Sequence, residues 1–191
     1  MLTKVTLIIP AYFANKELVD MTLNCIRSNT EDVQLLLIAD NQPYTVNVNN
    51  ALRASTGDFI VIGNNDITFP EKWLTELLRP LHEGFDISTC WSSNQPYKLE
   101  NKIENDAKFD CLWAMKREVY ETLGELDTQF KGYFSDTDYR RRALNTGFKI
   151  GKNCNLVVEH KSKATYKDTD PKDTEYERSM RLYEAKWGFV E

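Results

Sequence analysis

The chain has 191 residues, 41% of them hydrophobic and 28% charged, with a formal net charge of -5. That length suits one domain with a sizeable core rather than two independently folding ones, and the balance excludes a disordered or fibrous protein. The negative charge argues against nucleic acid as a partner, because a polyanion-binding face needs many Lys and Arg to replace the phosphate counterions; a small anionic ligand needs only local neutralisation by a metal, a helix N-terminus or a few cations.

Val5 to Ile9 is a short apolar, β-branched run ended by Pro10, the pattern of a buried strand opening into a loop. Asn15 then offers an N-cap to a helix with Leu18, Thr22 and Ile26 on one face. Val33 to Ala39 is a second apolar strand, ending at Asp40. Strand, helix and strand within about forty residues read as a βαβ unit, with a parallel sheet buried on both faces. A second helix is expected over Asn47 to Ser55, with Gly57 as its left-handed cap, before a strand from Phe59 to Ile62. Pro70 suits the first turn of a helix through Glu71 to Leu78, which Pro80 is expected to end or kink.

Asp86 to Trp91 reads as the next strand. The polar stretch from Ser92 to Lys108 reads as a mobile loop or an acceptor-facing excursion. A strand from Phe109 to Met115 follows, then a helix from Arg117 to Leu123 capped by Gly124, a helix from Asp136 to Asn145 capped by Gly147, and a last short strand from Asn155 to Val158. The charged tail from Asp173 to Trp187 is compatible with a helix packing across the outside. No repeat or linker interrupts the chain. The expectation is a single α/β domain over 1–191, Rossmann-like, with a mostly parallel central sheet flanked by helices. Its nucleotide-binding half would cover about 1–91, its acceptor and catalytic half about 109–160, and its helical tail 161–191.

The four cysteines, Cys25, Cys90, Cys111 and Cys154, lack CxxC spacing, and no zinc or disulfide framework is legible in them. The first residues lack the charged, apolar and cleavage regions of a signal peptide, and no apolar run approaches the ~18 residues of a membrane helix. A reducing, cytoplasmic setting is the expectation.

In open α/β sheets, ligands gather beyond the carboxyl ends of the strands. Four such ends carry polar residues: Pro10-Ala11-Tyr12, Asp40-Asn41, Asn64-Asn65-Asp66 and His160. Each alone is also ordinary turn chemistry, and together they point to one shared site. A carboxylate on a tight turn after a buried strand can hold a hard cation that bridges two phosphates, which makes Asp66 a metal-ligand candidate and His160 its imidazole companion.

Asp136, in Tyr133-Phe134-Ser135-Asp136-Thr137-Asp138, is a candidate general base for an acceptor hydroxyl, which is a poor nucleophile until its proton is taken. Asp136 or Asp138 equally suits a helix N-cap. Of the triplet Arg140, Arg141 and Arg142, a solvated face is expected, with one member available to offset the carboxylates. Trp91 and Trp113 offer faces for a sugar, core packing being the commoner role. Asp138 and Arg142 join them as acceptor or sugar candidates.

These motifs in this order resemble family 2 glycosyltransferases, which have the GT-A fold and invert the anomeric centre. The matching stretches are VTLIIPAY, LLLIADN, NNALRASTGDFIVIGNND, GELDTQFKGYFSDTDYRRRALNTGFKIG and VVEH. The resemblance implies transfer of a sugar from a nucleotide diphosphate donor, by family habit a uridine one, to a hydroxyl on a glycan, lipid-linked or protein acceptor, assisted by Mn²⁺ or Mg²⁺. It implies that Pro10, Ala11, Tyr12 and Asp40 line the base and ribose pocket, and that Asn50 lies near the nucleotide. It further implies that Asn64, Asn65 and Asp66 replace the family's DxD-type motif, that Asp136 is the base, and that His160 completes the metal or diphosphate site.

Two positions depart from the family pattern. Asn64 replaces an Asp and lowers the site's negative charge, and Ser135 stands where an acid is common, which leaves no strong upward shift expected for Asp136. Two other readings stay open. A non-catalytic sugar-nucleotide or glycan-binding module is compatible with Asn64. A nucleotidyltransferase is disfavoured, because the loop Ala11-Tyr12-Phe13-Ala14-Asn15 lacks the Gly-rich, basic character that a triphosphate needs.

Overall fold

The structure is a computed structural model and describes residues 4–12, 20, 23, 26, 33–40, 42–161 and 172–188. The expected N-cap Asn15 and the helix-face residues Leu18 and Thr22 lie outside them; Asp20, Leu23 and Ile26 are in helical backbone, with Ile26 buried.

Strands β1 (Val5–Tyr12) and β2 (Val33–Asp40) pair in parallel from Val5↔Val33 to Tyr12↔Asp40. Strand β3 (Phe59–Gly63) pairs in parallel with the other edge of β1. Apolar side chains alternate through this layer. Leu7 and Ile9 of β1 pack on one face with Val61, while Ile8 packs on the other with Ile60 and Ile62. Burial on both faces is why these strands read as continuous apolar runs.

Helix α1 (Tyr44–Ala54) covers the second face with Val48, Ala51 and Leu52. It begins three residues earlier than expected and ends at an extended Ser55, not at a left-handed Gly57. The glycine at 57 answers a different need. A Cβ there would stand 2.5 Å from the Thr6 nitrogen and 2.8 Å from the Val5 carbonyl carbon. The Gly57 N–H also donates to Thr6 Oγ1 at 2.9 Å, so the loop is pressed against β1.

Beyond a two-residue strand β4 (Ile67–Thr68), helix α2 (Trp73–His82) covers the first face with Trp73, Leu77, Leu78 and Leu81. Pro80 does not end this helix; it sits inside it, two residues before His82. A proline leaves the carbonyl four residues back without its amide partner. Here that carbonyl, of Glu76, accepts the side-chain amide of Asn153 at 2.7 Å instead.

The second half of the sheet is built from β5 (Ile87–Ser92), β6 (Ile103–Asn105), β7 (Leu112–Lys116) and β8 (Ile150–His160). Among the described residues the strand order is β2-β1-β3-β7-β5-β8-β4, with β6 on β8. Strand β7 enters antiparallel between β3 and β5, while β5 and β8 pair in parallel. The stretch read as a loop therefore contains β6, and the last strand spans 11 residues rather than four.

Helices α3 (Arg117–Leu123) and α4 (Ser135–Thr146) pack Val119, Tyr139 and Ala143 onto the second face. Gly124 and Gly147 follow them at positive φ, as their sequence positions suggest. The last helix, α5 (Lys172–Trp187), does not simply cross the outside. Its Tyr183 ring lies 5.6 Å from that of Phe134 at the start of α4, and its Trp187 indole N–H donates to Asp138 at 2.8 Å. Among the described residues no helix is long and apolar enough to cross a membrane.

Candidate active site

A cavity of about 570 Å³ opens at the edge where β1 and β3 end and β7 begins. Because β7 runs antiparallel to β3, its lead-in residues share that edge with the carboxyl ends of the parallel strands. Pro10, Asn64, Asn65, Asp66, Trp113, Asp136 and His160 all line the cavity, so residues far apart in sequence meet in one recess.

The Asp66 corner is held by backbone. Ile67 pairs with His160 across the β4–β8 ladder, and the Lys161 N–H donates to the Asp66 carbonyl at 2.9 Å. This brings Asp66 Oδ1 to 3.0 Å from His160 Nε2. Asn64 Nδ2 lies 3.4 Å from the same ring nitrogen, and the Asn64 N–H donates to the Cys111 carbonyl at 2.9 Å.

Asp136 lies in the first turn of α4. Neither it nor Asp138 caps the helix: the N-cap is Phe134, held at a positive φ of 65°. The Ser135 hydroxyl donates instead to the Gly132 carbonyl at 2.6 Å. Asp136 Oδ1 accepts the Thr137 N–H at 2.8 Å. Burial of the carboxyl pushes its pKa up, and the nearby charge of Asp110 adds to the rise against the pull of the Thr137 hydrogen bonds. The absence of an acid at Ser135 therefore does not leave Asp136 unshifted. Desolvation raises it, and the like charge arrives from Asp110, another part of the chain.

Other sequence candidates fall elsewhere. Ala11 is fully buried in β1. Tyr12 and Asp40 face each other in the β1–β2 register, but their side chains lie outside the described residues. Asn50 is exposed and accepts from Arg53 on the outer side of α1. Its neighbour Asn49 is buried and clasps the backbone of Leu126, donating to its carbonyl and accepting from its N–H at 2.9 Å each.

Trp91 is half-buried under the Lys152 ammonium, 3.8 Å from its ring centroid, and is not among the cavity-lining residues. Trp113 serves core and cavity together, stacking on Phe109 at 4.7 Å while facing the recess. Asp138 and Arg142, the acceptor or sugar candidates, are not among the cavity-lining residues, and their polar atoms are spent inside the fold. Asp138 is fully buried and accepts from Arg142 Nε at 3.0 Å, and Arg142 also donates to the Leu123 and Glu125 carbonyls. Arg140 likewise ties down the carbonyls of Asp106 and Ala107, so the arginine triplet is not a purely solvated face.

The structure adds residues that sequence reading passed over. Tyr44 and Asn47 line the cavity beside Pro10, and Asn47 is fully buried with a side-chain oxygen that has no partner among the described residues. The aromatic wall comprises Phe109, Tyr133, Phe134 and, from α5, Tyr176. Asp110 and Cys111 lie at the amino end of β7. The Asp110 carboxylate accepts the Ser92 N–H at 3.1 Å and the Cys111 N–H at 2.7 Å. Cys111 is buried, and its hydrogen bond with Cys90 together with desolvation holds its thiol protonated. A reading confined to the carboxyl ends of parallel strands passes over both residues.

A parallel β2-β1-β3 layer, an antiparallel β7 inserted beside it, and an acid-bearing turn facing a helix-borne carboxylate across one recess define the GT-A fold. The chain belongs to glycosyl transferase family 2, whose family model matches residues 29–155. No curated protein sequence matches it.

Among solved structures, TarS 1-349 of S. aureus is similar with a TM-score of 0.70 at 11% identity, covering 96% of this chain and 65% of that one. GalNAc-T7, solved with UDP, GalNAc and Mn²⁺, has a TM-score of 0.71 at 10% identity, covering 96% and 50%. The mannosyltransferase PcManGT of Pyrobaculum calidifontis, solved with GDP-Man and Mn²⁺, has a TM-score of 0.62 at 17% identity, covering 85% and 59%. The chain thus spans between 50% and 65% of the length of these three structures.

Proposed function

We propose that the chain is an inverting glycosyltransferase that moves a sugar from a nucleoside diphosphate donor, UDP-linked by the family resemblance, to a hydroxyl of a glycan, lipid-linked or protein acceptor, with Asp136 as general base. The observation that carries this reading is the meeting of Asp136 with the Asp66–His160 pair in one cavity of about 570 Å³. Two of the similar structures contain a nucleoside diphosphate or its sugar together with Mn²⁺, which supports the same ligand class here.

Pro10, Tyr44 and Asn47 form the nucleotide side, and the unpartnered Asn47 oxygen is an acceptor for a ligand N–H or O–H. A buried acceptor left unpaired costs about 1–3 kcal/mol, so a donor group that pairs it gains that discrimination. Asp66 and His160 offer oxygen and imidazole donors for a divalent cation, which would supply charge neutralisation for the departing diphosphate. Trp113, Phe109 and Tyr133 give flat walls against which a sugar ring can be held. Asp136 takes the acceptor proton as its oxygen attacks the anomeric carbon from the face opposite the diphosphate, and a single displacement of this kind inverts the centre. A carboxyl raised by burial is a stronger base when ionised, which suits that step.

The test is turnover of a panel of nucleotide sugars with Mg²⁺ or Mn²⁺, read as released nucleoside diphosphate. Asp136→Asn is expected to lower turnover by about 10²–10⁴-fold while leaving donor affinity, measured by calorimetry, nearly unchanged. Near-normal turnover in that variant removes Asp136 as the base. Binding of donors without release by the native chain, across donors and acceptors, favours a sugar-nucleotide-binding module instead.

A further inference from the structure

We propose that Cys111, with Asp110 and His160, forms a thiolate-bearing cation site in the cavity, and that this chain holds a borderline transition-metal ion of the Zn²⁺ or Co²⁺ type there in preference to Mg²⁺. The inference rests on the transferase reading only in that it names which of the chain's residues hold that site's cation.

Among the described residues, ligand atoms of Asp110, Cys111 and His160 all lie within 4.8 Å of one another. A tetrahedral Zn²⁺ with bonds of about 2.3 Å to sulfur and about 2.0–2.2 Å to nitrogen and oxygen separates its donors by roughly 3.4–3.6 Å. The side chains therefore need to close by at most about 1.4 Å, within reach of small χ rotations. Asp66 adjoins the trio through the imidazole, its carboxylate lying 3.0 Å from His160 Nε2. The backbone around the triad is fixed by ladders and loop bonds. His160 pairs with Ile67, the Asn64 N–H donates to the Cys111 carbonyl, and the Ser92 and Cys111 N–H groups hold the Asp110 carboxylate.

The donor chemistry sets the preference. Thiolate and imidazole suit Zn²⁺, Co²⁺ and their neighbours, whereas Mg²⁺ favours octahedral oxygen and keeps several waters. At the turn where the family has an acid, Asn64 contributes no charge. Cys111 is a protonated thiol hydrogen-bonded to Cys90 in the metal-free chain, so ligation releases that proton to water and leaves sulfur bound to the metal.

The metal-free chain titrated with Co²⁺ is expected to develop near-ultraviolet thiolate-to-cobalt charge-transfer absorption that saturates at one equivalent. That absorption should vanish in Cys111→Ser and persist in Cys154→Ser. Zn²⁺ affinity, measured by competition with a chromophoric chelator, should fall tenfold or more in Cys111→Ser and in Asp110→Asn. Thermal unfolding of the metal-free variants checks the fold, and Cys111→Ala replaces Cys111→Ser should the latter unfold.

Co²⁺ binding without the absorption, absorption that survives loss of Cys111, or displacement of Zn²⁺ by equimolar Mg²⁺ overturns the proposal. Asp136→Asn is expected to keep the absorption. A missing absorption beside intact Mg²⁺-supported transfer therefore counts against this site alone.

Discussion

Replacing Asp138 by alanine should cost stability and undock the C-terminal helix, because this carboxylate is the buried end of a clamp. Arg142 Nε reaches it at 3.0 Å, Trp187 Nε1 at 2.8 Å and Lys186 Nζ at 2.8 Å, and the side chain itself is fully buried. Removing one partner of a buried ion pair typically costs about 3–5 kcal/mol when the other is stranded. Stranding is incomplete here. Arg142 keeps the Leu123 and Glu125 carbonyls, Lys186 keeps Asp127 at 2.7 Å, and their side chains are 20% and 32% exposed.

The orphaned Trp187 N–H and the second lost charge-assisted bond put the loss at about 2–3 kcal/mol. For a chain of this size that is a fall in Tm of roughly 4–12 °C. Urea unfolding and calorimetry measure it, and Trp187 fluorescence reports the helix. A loss under about 1 kcal/mol with the helix still docked refutes the clamp. An unchanged Tm with a raised acceptor KM would restore the acceptor role read from the sequence.

Asp136 should impose a pH dependence on stability. Its carboxyl pKa is raised in the folded chain, chiefly by burial, so between the unfolded value of about 3.9 and the folded one the native state binds more protons. Stability therefore falls as pH rises through that window and stays lower above it. Asp136→Asn should accordingly have a higher Tm than the native chain at pH 7, with the difference closing below about pH 4; an equal Tm at pH 7 contradicts the raised carboxyl pKa. The acid limb of kcat/KM should lie above the ordinary carboxylate range and be absent from the residual activity of that variant. Gly57→Ala should lose about 1–3 kcal/mol, read as a lower urea midpoint at unchanged m, since its Cβ meets β1 backbone at 2.5 Å.

The first half of the fold was legible because burial on two faces writes a strand as an unbroken apolar run, as in Val5 to Ile9 and Val33 to Ala39. β8 was read only at Asn155 to Val158, because its earlier residues Lys152 and Asn153 are polar yet buried. One sets its ammonium over the Trp91 ring, and the other replaces the amide that Pro80 lacks. Periodicity cannot separate such inward-facing polar residues from a loop.

Asn50 illustrates a readable signal passed over. With Val48, Ala51 and Leu52 facing inward on α1, residue 50 falls on the outer side of a 3.6-residue turn. The Asp136 and Asp138 pair follows the same rule: residues two apart on a helix do not share a face. One carboxylate lines the cavity while the other anchors α5.

Asp110 changes what Asn64 means for the site. Read alone, an Asn at the head of the Asn64-Asn65-Asp66 turn removes a charge that a cation or a developing positive centre would use. In the fold, the antiparallel β7 begins where β3 ends, with Leu112 opposite Gly63, so Asp110 enters the recess from the neighbouring strand. A negative charge is thus present at the strand edge, supplied by a different element. Its proximity to Asp136 also helps raise that carboxyl. Asp110→Asn should therefore weaken cation binding and, by removing the like charge, lower the pKa of Asp136. The acid limb of the pH–rate profile would move down in the same variant whose metal affinity falls, a pairing that loss of a purely structural contact would not produce.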